Sequence, residues 1–155
     1  MNKTSNETII EILLVEDNLS DIRLTQEAIK ECKIENNLHV VRDGIEALDF
    51  LRKKGKYANA PRPCLILLDL NMPRKDGREV LAEIKADPEL KRIPVIILTT
   101  SKSEDDIFIT YDHCANCYIT KPNDIEEFFK TITTIENFWL ELVKLPFNGA
   151  QHKNL

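Results

Sequence analysis

The chain is poor in glycine and has no glycine-rich loop. Only four of its 155 residues are glycine, and none falls in the G-x-G-x-x-G spacing that lets a backbone approach a dinucleotide pyrophosphate. A dinucleotide-binding reading is thereby excluded. No apolar run approaches the ~20 residues that a membrane span needs. The N-terminal residues, MNKTSNETII, lack the apolar region of a secretory signal. A cytoplasmic location with no membrane partner is therefore expected. Positive charge is short as well: 21 Lys and Arg stand against 26 Asp and Glu, for a net charge of −5. Nucleic acid wants a basic face, so it is not expected as a partner.

Cysteine is sparse. Cys32, Cys64, Cys114 and Cys117 are expected to be reduced thiols rather than a disulfide framework. Cys114 and Cys117 make a CxxC beside His113, but a zinc site would need a second pair of ligands at similar spacing, and there is none. A redox CxxC would open a helix after a first strand, whereas this one precedes a strand. The spacing is read as coincidence.

What is there is an alternation of short apolar runs with helical stretches. Strands are predicted at Ile9 to Val15, Leu38 to Val41, Leu65 to Leu68, Val95 to Leu98 and Tyr118 to Thr120. Three of them are continuously apolar, which suits parallel strands covered on both faces. Helices are predicted at about Leu19 to Cys32, Gly44 to Lys54, Gly77 to Ala86, Ser103 to His113, and from after Pro122 to about Lys144. The first takes Asn18 or Ser20 as its N-cap. Right-handed crossovers turn this (βα)5 chain into an α/β, doubly wound, open parallel sheet. The expected strand order is 2-1-3-4-5, the flavodoxin-like order, with the site at the carboxyl ends of the strands. One domain is expected over 9–146, with 1–8 and 147–155 as loose tails and no output domain.

Glu16 and Asp17 follow strand one at that edge, and Asp69 follows strand three. Thr99 ends strand four, and Lys121 follows strand five. Three crowded carboxylates repel unless some protonate or a cation neutralises them. Hard oxygen donors that leave room for water and phosphate suit Mg2+, with Mn2+ as an alternative. A carboxylate nucleophile, a metal, a hydroxyl and an ammonium are the parts that phosphoryl transfer requires.

Here the chain resembles the receiver domains of two-component response regulators. The resemblance rests on Leu14-Val15-Glu16-Asp17-Asn18, Leu67-Leu68-Asp69-Leu70-Asn71-Met72-Pro73, Asp76-Gly77, Ile97-Leu98-Thr99-Thr100 and Tyr118-Ile119-Thr120-Lys121-Pro122. It implies that Asp69 is the phosphoacceptor and that Asp17 binds the metal directly. Glu16 would hold the metal through water, and Asn71 would ligate it through its backbone carbonyl. The resemblance also implies that Thr99 is the switch hydroxyl, that Lys121 pairs with the phosphoryl group, and that Tyr118 is the switch aromatic. Taken without the resemblance, Tyr118 reads as edge-strand packing more readily than as a switch. The Lys121–Pro122 bond is typically cis in the family.

Further segments resemble the single-domain regulators that partner phytochromes. They are Pro61-Arg62-Pro63, Arg74 through Lys85, and Asn137-Phe138-Trp139-Leu140. The implied partners are a sensor histidine kinase of phytochrome type and a downstream protein. A homodimer through helix 4, strand 5 and helix 5 is also implied. On the last helix, Phe138, Trp139 and Leu142 are expected to project past the sheet. Two rival readings are an aspartate-nucleophile phosphatase and a docking module that needs no phosphorylation. The phosphatase would want a second acid where Asn71 stands.

Overall fold

A computed structural model describes residues 9–146, so the expected tails lie outside the described residues. The chain runs β1 (Ile10–Val15), α1 (Leu19–Lys30), β2 (Asn36–Val41), α2 (Gly44–Arg52), a 3-10 turn (Gly55–Tyr57), β3 (Leu65–Leu68), α3 (Gly77–Ala86), β4 (Val95–Thr99), α4 (Glu104–Asp112), β5 (Cys117–Thr120), α5 (Ile125–Glu136) and a π-helical stretch (Asn137–Leu142). The five strands form one parallel sheet in the order 2-1-3-4-5, as the sequence pattern predicts.

Strand alternation splits the core into two layers. Leu13, Val15, Ile66, Leu68, Val95 and Ile97 face α2 and α3, meeting Ala47, Leu51, Val80, Leu81 and Ile84. Ile12, Leu14, Leu65, Leu67, Ile96 and Leu98 face α1 and α5, meeting Ile22, Ala28, Ile29, Phe128, Ile132 and Ile135. All four residues of β3 are buried. Each such side chain contributes about 1.5–3 kcal/mol, so the central strand is firmly held. Cys64 is buried just ahead of it.

Side chains start each helix. Asn18 accepts from the Asp21 N–H, Asp43 from that of Glu46, Ser103 from that of Asp106, and Asp124 from that of Glu127. Asp76 and Glu79 form a reciprocal capping box on α3. Cys114 takes a left-handed backbone conformation (φ 69°) just after α4, where its N–H bonds the Tyr111 carbonyl. This is a helix-ending geometry, and it gives the first cysteine of the CxxC a backbone role. All four cysteines are free. Every peptide bond among the described residues is trans, Lys121–Pro122 included, in contrast to the family habit. Trans is the default, favoured by about 0.5–1 kcal/mol before proline.

The last helix departs from expectation. It does not run unbroken to Lys144 but ends at Glu136 and widens into the π-helical stretch. Thr131, Ile132, Thr133, Thr134 and Ile135 are five consecutive β-branched residues, which are stiff in a helix. The hydroxyls of Thr131, Thr133 and Thr134 also bond back to carbonyls four residues earlier, which weakens and bends helices. Phe138 projects, half exposed, edge-on to Trp139. Trp139 packs against the α1–α5 layer instead of projecting, and Leu140 beside it is buried. The Leu142 side chain lies outside the described residues.

Glu136 is buried at this junction, and its Oε1 has no hydrogen-bond partner among the described residues. Burial, then the charges of Glu31 and Glu141, push its carboxyl up to about 7, against a bond with Cys32 that lowers it. A carboxyl raised in the fold destabilises its ionised form. Wild-type stability should therefore fall as pH rises from the unfolded value near 4.5 through about 7. Glu136→Gln is expected to raise stability by about 1–3 kcal/mol at pH 8 and to leave it unchanged at pH 5. Urea unfolding at the two pH values checks this, and an equal effect at both would refute it.

Candidate functional site

The sheet's hydrogen-bond ladder continues one residue past β1, β3 and β5, and this fixes the site. The Glu16 N–H bonds the Val41 carbonyl at 3.0 Å, and the Asp69 N–H bonds the Val15 carbonyl at 3.0 Å. The Lys121 N–H bonds the Thr99 carbonyl at 2.7 Å. Each chemically active side chain therefore sits on backbone as rigid as the strand before it. Directly beneath, Gly77 opens α3 against the same strand end. A Cβ built there would collide with the Asp69 carbonyl oxygen and the Leu70 Cα, while the Gly77 N–H donates to the Leu70 carbonyl at 2.9 Å. Only a glycine allows this close approach, and it seats the start of α3 next to Asp69.

Lys121 is the centre of the cluster. It is buried, and its Nζ donates to Glu16 Oε1 at 2.6 Å and to Asp21 Oδ2 at 2.7 Å, with Asp69 Oδ2 at 3.6 Å. Burial alone would lower the ammonium's pKa. The bonds from Asp21 and Glu16, with the charges of Glu16 and Asp69, outweigh burial and raise it. Glu16 is buried too and accepts the Asn18 N–H at 3.1 Å. Its carboxyl is pushed up to about 7, first by desolvation and then by the Asp69 charge, against the pull of Lys121 and Asn18. Asp69 is buried with Oδ1 lacking any hydrogen-bond partner among the described residues.

Three acids thus face one ammonium. A divalent cation fits this arrangement on two observations: the unpartnered oxygen of Asp69, and a carboxylate surplus large enough to disturb Glu16. The set is not drawn tight, since no three His, Cys, Asp or Glu side chains among the described residues converge in ligating geometry. Asp17 stands about half exposed at the rim, with Arg42 Nη2 3.7 Å from its Oδ1. Asn71 is exposed in the loop after β3.

Thr99 is fully buried, and its Oγ1 accepts from the Ser101 N–H at a long 3.4 Å. Tyr118 is half-buried and packs against the α2–α3 layer. Its hydroxyl donates to the Ser101 carbonyl at 3.0 Å. The structure therefore brings Glu16, Asp69 and Lys121 together, and it ties Thr99 and Tyr118 to one loop residue. Sequence reasoning missed that residue, Ser101, and it also missed Asp21. An acid in the first turn of α1 reads as a helix-dipole partner, and only the fold brings it to Lys121, 100 residues away.

A doubly wound sheet with acids, a hydroxyl and a lysine at its carboxyl edge is the build of a receiver. The sequence profile of the response regulator receiver domain matches residues 12–133, and the chain belongs to that family. It is a two-component response regulator rather than a conventional enzyme. It is 56% identical to the response regulator Rcp1 of Synechocystis over 87% of this chain and 92% of that one. A crystal structure of Rcp1 with Mn2+ bound superposes with a TM-score of 0.87 at 55% identity, covering 88% of this chain and 99% of that one. The phosphorylated cyanobacterial phytochrome response regulator RcpA gives a TM-score of 0.88 at 57% identity, covering 90% and 99%. The bacteriophytochrome response regulator AtBRR gives 0.69 at 42% identity, covering 88% and 99%. Among the described residues, no helix is long and apolar enough to cross a membrane.

Because Asp21 carries one of the two short bonds to a buried ammonium, Asp21→Asn is expected to cost about 1.5–3 kcal/mol in metal-free protein. Urea unfolding measures it. A cost below about 0.5 kcal/mol, the level of an ordinary surface change, would show that the contact carries no energy.

Proposed function

We propose that Asp69 accepts a phosphoryl group from the phosphohistidine of a sensor histidine kinase, and that this throws a protein-binding switch. The observation that carries the reading is the Asp69 carboxylate. It is buried at the end of the central strand, with one oxygen unpartnered and the other 3.6 Å from Lys121. An Asp69 oxygen forms the new O–P bond in line as the N–P bond breaks, and the imidazole leaves with the electron pair. Lys121 neutralises charge on the transferred oxygens, and the Thr99 hydroxyl donates to one of them as it turns inward. Tyr118 then exchanges its bond to Ser101 for the space that Thr99 leaves. Water later hydrolyses the acyl phosphate and resets the switch.

Mg2+, with Mn2+ as substitute, would be held by Asp17, by Asp69, by the Asn71 carbonyl and, through water, by Glu16. When bound it supplies charge neutralisation for the acids and the phosphoryl oxygens. The receiver unit spans 9–146. A phytochrome-type kinase is the partner that the likeness to RcpA and AtBRR favours, and the cytoplasm is the location that such a relay requires.

The surface that would respond is α4, β5 and α5. Phe108, Ile109 and Tyr111 are exposed on α4. A groove of about 550 Å³ beside the edge strand is lined by Cys117, Ile119, Ile135, Phe138 and Trp139 among others. Exposed apolar area of this kind marks contact surfaces, and we assign it to a homodimer face as well as to the downstream partner.

Incubated with acetyl phosphate, the protein should take up one phosphoryl group per chain. Uptake should require Mg2+ or Mn2+ and should vanish with chelator and in Asp69→Asn. Label persisting in that variant, or repeated turnover of phosphate monoesters, would overturn the reading. For the dimer face, sedimentation should show self-association that weakens in Phe138→Ser. A strict monomer at high concentration, with and without beryllofluoride, would refute it.

A further inference from the structure

Arg78 belongs to the Arg74–Lys85 segment, and the mechanism above leaves it unused. It stands in the first turn of α3, and its Nε and Nη2 donate to both carboxylate oxygens of Asp106 on α4, each at 2.7 Å. Its Nη1 donates to Asp76, the N-cap of its own helix, at 2.7 Å. The Asp106 Oδ2 also accepts the Ser101 hydroxyl at 2.6 Å. Ser101 is the residue whose N–H reaches Thr99 and whose carbonyl holds Tyr118. Its hydroxyl further accepts the Ser103 N–H at 3.2 Å, while Ser103 caps α4.

These contacts form a chain between two segments of the site. One end is the β3–α3 loop, which begins at Asp69 and ends at Asp76. The other is Thr99. We propose that Arg78 and Asp106 are positioning residues of the switch: their bidentate pair pins the β4–α4 loop, through Ser101, in the resting arrangement, and so sets how readily Thr99 and Tyr118 turn toward a phosphorylated Asp69. The inference rests on the phosphoacceptor reading of Asp69.

The pair is well suited to hold a loop. A fork-to-fork guanidinium–carboxylate contact is directional as well as charged, and both side chains are mostly buried, at 28% and 15% exposure. Asp106 is held down to about 2, by Arg78 first and Ser101 next, so the pair stays ionised at any physiological pH. Loosening it removes an interaction that the resting state has and the turned state must rearrange. A ligand that selects the turned state then binds more tightly.

The test is Mg2+-dependent binding of beryllofluoride, a phosphoryl mimic, with amide hydrogen exchange of residues 100–103 measured in metal-free protein. Arg78→Gln and Asp106→Asn should each bind the mimic about three- to tenfold more tightly than wild type. Each should also speed exchange in the loop. The double variant should match the singles rather than multiply them. In a Ser101→Ala background, where the link to the loop is cut, Arg78→Gln should add nothing. A merely structural pair would lower stability without any gain in affinity. Unchanged or weaker binding in both single variants, with melting confirming that they are folded, would overturn the proposal. So would multiplicative effects in the double variant. Binding that survives in Asp69→Asn would instead overturn the phosphoacceptor reading, so the two failures are distinguishable.

Discussion

The site is organised by one buried ammonium that is outnumbered by acids. Lys121 touches Glu16 and Asp21 closely and Asp69 at longer range. With all three acids ionised the cluster carries a net charge of about −2, in a place where water screens little. Burial first, and then this surplus through the Asp69 charge, explain why Glu16 is disturbed although it holds a short bond to a lysine. It also gives the site its chemistry. A cluster short of positive charge favours a divalent cation. In the proposed function such a cation would take up part of the acids' charge, and the Lys121 ammonium would serve the new oxygens at Asp69. The fold supplies the surplus by ending three strands at one edge, and the backbone ladder past those strands keeps the charges from moving apart.

That edge was legible in the chain because strand ends are local features. Ile66-Leu67-Leu68 before Asp69, and Ile97-Leu98 before Thr99, are apolar runs that stop at a polar residue. The parallel order then decides which stops become neighbours. Local capping chemistry was equally readable, and α3 begins and ends where it was expected. What stayed hidden depends on packing between distant elements. Asp21 looks like any acid in a first helical turn until β5 delivers Lys121 beside it. Ser101 looks like loop filler until Tyr118 and Asp106 meet there. The break in α5 was missed for a different reason. An apolar stripe reports which face is buried, but says nothing of how well a run of β-branched residues tolerates the helix that carries it.

The receiver family accounts for the shape of the molecule and for the residues nearest Asp69, but these do not by themselves make a switch. A switch needs two arrangements of similar energy, and contacts that differ between them. The long 3.4 Å contact between Thr99 and the Ser101 N–H is weak by hydrogen-bond standards, so Thr99 would give up little in the proposed turn. The strong contacts lie one step further out, between Ser101, Asp106 and Arg78. A weak inner bond backed by a strong outer pair lets the inner residue respond while the loop keeps a defined place to return to.

In the proposed switch, such a division would also carry a change at a buried carboxylate to an exposed face. Asp106 and Ser103 are both in the first turn of α4 or at its cap, and the same helix carries Phe108, Ile109 and Tyr111 outward. Only Thr110 of that helix is buried, so little apolar packing anchors α4 to the sheet. Its position is governed instead by the polar contacts at its N-terminus. A helix held mainly at one end by a loop and an ion pair moves when the loop moves, because no core must be repacked. The scarcity of buried residues on α4, which would be a defect in a purely structural helix, is what the proposed switch needs if Asp69 is to govern a surface it never touches.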